Sequence, residues 1–236
     1  MRWSFIKVLL LIFTLILLVG CGRKFEARKD GKRLAPPVEN RKQENKPKIV
    51  AFGDSLTVGF GLSESESYPY LLQQKLNAEG YDYEVINAGV SGDTTQGGLE
   101  RMDWSLDQEN VEILILALGG NDMLRGIPPS QTKRNLAQII ERAKSRGIKV
   151  LLCGMLAPPT MGREYQREFN ALFPDLADKY DVAFMPFLLE GVALKKELNQ
   201  PDGIHPNAEG TKIMTENIYE ALKPLLNKDS PKTKAK

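Results

Sequence analysis

Between Lys48 and Asn227 the apolar residues follow two rhythms in turn. Short unbroken apolar runs alternate with longer stretches of helical spacing. "KIVAFGD" is a buried-strand run ending in Gly-Asp. "SYPYLLQQKLNAEG" then predicts a helix capped by Ser67, with Leu71, Leu72 and Leu76 on one face and Gly80 as its stop. Next come the strand "YEVINAG", the helical "TTQGGLERMDWSL" and the strand "EILILALGG". "SQTKRNLAQIIERAKSRG" gives the clearest helix, from Ser130 to the terminating Gly147. "KVLLCGM" is a fourth strand, and "REYQREFNALFPDLADKY" a fourth helix with a bend expected at Pro174. "VAFMPF" is a fifth strand, and "NAEGTKIMTENIYEALKPLL" closes the domain as a helix. This alternation predicts an α/β fold with a mainly parallel five-stranded sheet, right-handed crossovers and helices on both faces.

The ends follow neither rhythm. "MRWSFIK" carries Arg2 and Lys7, and the apolar run Val8 to Val19, broken only by Thr14, has the length of an export-signal core. It is short for a bilayer span, which needs ~20 apolar residues. The run ends in "LLVGC", which resembles a bacterial lipobox cut before Cys21. A diacylglyceryl group on Cys21 would anchor the protein to a membrane. Residues 1–20 therefore read as a lipoprotein signal peptide and 21–47 as a basic, disordered tether. The folded domain is 48–227, and 228–236 is a disordered basic tail. From Gly22 to Lys48 there are ten Lys/Arg and four Asp/Glu. Residues 49–227 carry 16 basic and 25 acidic groups, a net of −9 hidden inside a whole-chain charge of +2. An acidic domain argues against nucleic acid as a partner, and the basic tether suits anionic head groups. Cys21 and Cys153 are the only cysteines, which excludes a disulfide framework and a CxxC metal site.

In open α/β sheets ligands bind beyond the carboxyl ends of the strands. The segments there are "GDSL" after the first strand, "NAGVSGDT" after the second, "GGND" after the third and "DGIHP" after the fifth. They bring a serine, glycines, an asparagine and the chain's single histidine to one edge. A serine hydroxyl needs a neighbouring base to act as a nucleophile. His205 is the only imidazole available to Ser55, and Asp202, three residues earlier, lies within reach of its Nδ1–H. The Ser55 and Gly89 backbone N–H groups and the Asn121 amide are candidate oxyanion donors. Singly, each of these residues also has an ordinary structural reading as a cap or turn residue.

The blocks "FGDSL", "NAGVSGDT", "LGGND" and "DGIHPN" resemble the SGNH (GDSL) hydrolases. "VSGDTTQGGLERM", "LGGNDMLRGIPPSQT" and "PDGIHPN" are similar to the bacterial periplasmic thioesterase, lysophospholipase and arylesterase branch. The resemblance implies a three-layer, flavodoxin-like α/β/α fold, no cofactor and no metal. It implies a nucleophilic Ser55 with Asp202 and His205 completing a triad, and oxyanion donors at Ser55, Gly89 and Asn121. It also implies a loop, Met123 to Pro128, that moves over the acyl chain. Candidate substrate-lining residues are Met123, Leu124, Ile127, Met155, Leu156 and Pro158.

The expected function is hydrolysis of small-molecule acyl esters or thioesters, lysophospholipid included, by a monomeric, membrane-anchored exported lipoprotein facing the periplasm or cell surface. Two features depart from that branch: the lipobox with its tether, and "GMLAPPTMG" where the branch shapes its acyl pocket. Alternatives are a carbohydrate O-acetylesterase of the cell envelope and a non-catalytic envelope lipoprotein on the same fold. A dinuclear metallophosphoesterase is disfavoured by the single histidine, and a P-loop by the missing Lys-Ser/Thr.

Overall fold

The computed structural model of the chain describes residues 46–227. The signal peptide, Cys21, the tether up to Asn45 and the tail from Lys228 lie outside the described residues. Five strands, β1 (Lys48–Gly53), β2 (Glu84–Gly89), β3 (Val111–Ala117), β4 (Lys149–Cys153) and β5 (Ala183–Met185), form one sheet. Its order is β2-β1-β3-β4-β5, with every neighbouring pair parallel. That is the doubly wound order of flavodoxin-like folds, whose switch point falls between β1 and β3.

Among the described residues seven α-helices accompany the sheet: α1 (Ser55–Val58), α2 (Tyr68–Ala78), α3 (Thr95–Leu106), α4 (Gly120–Leu124), α5 (Pro129–Ser145), α6 (Arg163–Tyr180) and α7 (Ala208–Leu222). On one side α3, α5 and α6 pack in series, and α2 packs against α7 in the other layer. Central strands enclosed on both faces must be apolar at nearly every position. β1 is buried from Ile49 to Gly53, and β3 from Ile113 to Ala117. β2 lies at the sheet edge and is only half-buried. Among the described residues no helix is long and apolar enough to cross a membrane.

Local details differ from the expected pattern in two places. The Ser67 hydroxyl does not cap α2; it donates backwards to the Glu64 carbonyl at 2.7 Å, closing the preceding 3-10 turn. The Ser130 helix starts at Pro129 and ends at Ser145, with Gly147 left-handed in the turn beyond. Helix α6 spans Arg163–Tyr180 with Pro174 inside it, the stretch its pattern predicts. A mid-helix proline costs about 3 kcal/mol. Here Phe169, Leu172, Phe173, Leu176 and Ala177 bury one face on either side of it, and that burial holds the helix together. Cys153 is a fully buried free thiol, and burial pushes it up to about 12.

Candidate active site

The carboxyl end of β1 turns directly into α1, with Asp54 as the N-cap and Ser55 as the first helical residue. Asp54 Oδ1 accepts the Leu56 N–H at 3.1 Å. The turn is tight. A Cβ on Gly53 would fall 2.1 Å from Thr57 Oγ1 and 2.7 Å from the Ala117 carbonyl, so only glycine fits. Ser55 is therefore presented at the sheet's carboxyl edge, and as a first-turn residue its N–H has no intrahelical acceptor.

His205 reaches the serine from a hairpin closed by the Asn199–Pro206 bridge. Its Nε2 lies 2.9 Å from Ser55 Oγ, and its Nδ1 lies 2.7 Å from Asp202 Oδ2. Asp202 Oδ1 accepts the backbone N–H groups of His205 at 3.0 Å and Ile204 at 2.9 Å. These bonds from His205 backbone and ring, then Ile204, hold the Asp202 carboxyl down at about 2. An ionised carboxylate on Nδ1 leaves Nε2 as the acceptor facing the serine proton. The hairpin is locked to the Ser55 segment by Gln200, whose Nε2 donates to the Phe60 and Pro206 carbonyls at 2.7 and 2.9 Å.

Asn121 sits in the first turn of α4, after the left-handed Gly119. Its Nδ2 donates to Asp54 Oδ2 at 3.0 Å. Its neighbour Asp122 is fully buried and accepts from the Thr95 N–H at 2.8 Å and from the Thr95 and Thr132 hydroxyls. Asp122 thereby pins the start of α4 to α3 and α5.

The glycines of "NAGVSGDT" divide their tasks differently from the expectation. The Gly89 N–H, expected among the oxyanion donors, is engaged: it donates to Asn87 Oδ1 at 3.1 Å. A Cβ at Gly89 would lie 2.5 Å from Val58 N and 3.0 Å from the Asp54 carbonyl, so glycine there admits α1. Three residues on, Gly92 is left-handed at φ +78° in a turn closed by Asp93 N–H on the Val90 carbonyl. Its N–H has no hydrogen-bond partner among the described residues, and its carbonyl accepts from Arg125 at 2.7 Å.

Of the residues expected to line an acyl channel, Leu124, Leu156 and Pro158 are exposed, and Met123 and Ile127 are half-buried. Met155 is instead buried beneath the site, where its Cε would lie 3.3 Å from a Cβ on Gly120. Two exposed apolar residues were not anticipated. Phe60 stands with its ring centroid 4.7 Å from that of His205, and Ile204 adjoins the histidine. An aromatic between two glycines, Gly59 and Gly61, both left-handed in the structure and just past Ser55, was the available signal for Phe60.

A model of the GDSL-like lipase/acylhydrolase family matches residues 51–213. The chain belongs to this family. It is 42% identical over 178 residues to the esterase TesA of Pseudomonas aeruginosa, covering 75% of this chain and 89% of that protein. It is 39% identical to thioesterase 1/protease 1/lysophospholipase L1 of Escherichia coli, covering 77% and 86% of the two chains. A crystal structure of TesA superposes with a TM-score of 0.73 at 41% identity, over 76% of this chain and 99% of that one. The SGNH-hydrolase esterase AlinE4 gives 0.65 at 45% identity, over 77% and 97%. The GDSL-like chain described here is thus an ester hydrolase of the esterase and thioesterase type, on the α/β fold its strand pattern predicts.

Proposed function

We propose that this hydrolase works through an acyl-enzyme on Ser55. Ser55 Oγ attacks the acyl carbonyl while His205 Nε2 takes the hydroxyl proton. The protonated imidazole returns that proton to the leaving alcohol or thiol, and water then releases the acid by the same steps. Asp202 holds the ring and stabilises its charged form. The oxyanion meets the Ser55 N–H, the second Asn121 Nδ2–H and the free N–H of Gly92, in place of the spent N–H of Gly89. The observation that carries this reading is the unbroken Ser55–His205–Asp202 chain at 2.9 and 2.7 Å.

The exposed apolar side chains of Phe60, against the His205 ring, and of Ile204 beside it favour substrates with an apolar acyl group, lysophospholipid among them. The "LLVGC" segment supports an exported, Cys21-anchored lipoprotein facing the periplasm or cell surface. Purified protein and Ser55→Ala protein are compared on aryl esters, acyl-thioesters, lysophospholipids and acetylated sugars. Ser55→Ala should lose on the order of 10⁶ in turnover on every substrate the parent cleaves. Retained activity overturns the reading. A preference for acetylated sugars moves the chain to the O-acetylesterase class.

A further inference from the structure

Asp54 is buried, touches neither the serine nor the imidazole through its own oxygens, and still joins two halves of the site. One oxygen caps the nucleophile helix through Leu56, and the other receives the Asn121 side-chain amide, 67 residues away in the chain. Both bonds come from uncharged N–H donors. The titratable groups facing it are His205 from the 199–206 hairpin, Asp93 from the turn before α3, and the Tyr68 phenol from α2.

An amide can present either its NH₂ or its oxygen to a neighbour. An ionised carboxylate only accepts, so it dictates which end of Asn121 faces it. With Nδ2 held by one hydrogen on Asp54, the second hydrogen is free for an oxyanion and Oδ1 is turned away. We propose that Asp54 is a positioning residue whose ionised carboxylate sets the Asn121 amide in its oxyanion-donating orientation. Protonation of Asp54 places a hydroxyl donor against the Nδ2 donor. The amide then turns to accept it, and the oxyanion loses one N–H. Burial, opposed by the Leu56 and Asn121 bonds and by His205, raises the Asp54 carboxyl to about 6. The switch therefore falls near pH 6. This inference rests on the proposed role of Asn121 as a donor.

The test uses Asp54→Asn, Asn121→Ala and the double variant in the full chain, with thioester turnover as a function of pH. Asp54→Asn keeps the Leu56 cap but opposes two amides, so kcat should fall about 10²-fold with KM within threefold. Asn121→Ala should cost the same, and the double variant no more than either alone. In Asn121→Ala protein the acid limb of the kcat profile should involve one proton fewer than in the parent. This last measurement stands even where Asp54→Asn fails to fold. Multiplying losses in the double variant, or an unchanged acid limb in Asn121→Ala, overturns the proposal. An inactive Ser55→Ala alongside those results confines the failure to Asp54, whereas an active Ser55→Ala removes the catalytic reading itself.

Discussion

Arg101 offers a test of how the strand ends beneath the site are held. Its Nε donates to Asp93 Oδ2 at 2.7 Å, and its terminal nitrogens donate to the Ala88 and Gly53 carbonyls at 2.8 and 2.9 Å. Its Cζ lies 4.0 Å from the centroid of the Phe52 ring. One guanidinium thus ties the ends of β1 and β2 to the turn that carries Gly92. Arg101→Met keeps the stem and removes the fork. Asp93, whose side chain is 9% exposed, then loses its cation. Breaking a buried pair by deleting one partner costs about 3–5 kcal/mol. The Arg101 side chain retains 19% exposure, so the lower end applies, about 3 kcal/mol. At about 2–4 °C per kcal/mol for a domain of this size, Tm should fall by about 6–12 °C. Asp93→Asn in the same background should recover about 1 kcal/mol or more, because it removes the stranded charge. Arg101→Lys should fall between, keeping the charge and losing the fork. Urea unfolding of the four proteins measures all of this. A loss under 1 kcal/mol for Arg101→Met, or no recovery in the double variant, refutes the idea that Asp93 depends on this cation.

Two further outcomes separate neighbouring residues. Gly89→Ala drives a Cβ into Val58 N and the Asp54 carbonyl, so it should lower both Tm and activity. Gly92→Ala has room, its nearest atom being Arg125 Nη2 at 3.6 Å, but it strains a positive φ; it should lower kcat more than Tm, and equal losses at the two positions would contradict the division drawn between them. The Asp202 carboxyl is depressed in the fold, so its contribution to stability is full above the unfolded value of ~3.9 and is lost as pH falls through about 2. The stability gap between the parent and Asp202→Asn, read from urea midpoints, should accordingly narrow from pH 4 to pH 2, and a constant gap would show that the bonds to His205 and Ile204 do not hold the carboxyl down.

The parallel sheet with helices on both faces was legible because β1, β3 and β4 are buried on both faces and must be apolar almost throughout. β5 was legible as a run but shrank to Ala183–Met185, because only those residues pair with β4. Ser55, Asp202 and His205 stood out because each follows a strand and only one imidazole exists to serve them. What stayed hidden depends on where backbone atoms point. Gly89 and Gly92 look alike as letters in one loop. They separate only when one N–H is seen donating to Asn87 and the other has no partner among the described residues. Met155 reads as a channel residue by position, yet the glycine at 120 lets it pack directly underneath and removes it from the surface.

Three aspartates near this edge show why a carboxylate's partners, rather than its place in a motif, assign its task. Asp93 is matched by a guanidinium, so its bond serves to join strand ends and a turn. Asp122 is surrounded by an N–H and two hydroxyls, and a hydroxyl can donate or accept from the same position by turning its O–H. Asp54 has only two N–H donors, one of them an amide that can reverse. A buried carboxylate held that sparsely is costly to ionise, which is the physical content of its rise to about 6. A carboxamide in its place would keep the helix cap and avoid the charge. By linkage, a raised carboxyl stabilises the fold at acid pH, and that stabilisation is lost as pH rises through about 6. Asp54→Asn should therefore be no less stable than the parent at pH 8, while turning over substrate far more slowly. A side chain whose replacement leaves stability intact and lowers only turnover is held there by the chemistry of the site, and a drop in Tm equal to the drop in rate would place Asp54 with the scaffold instead.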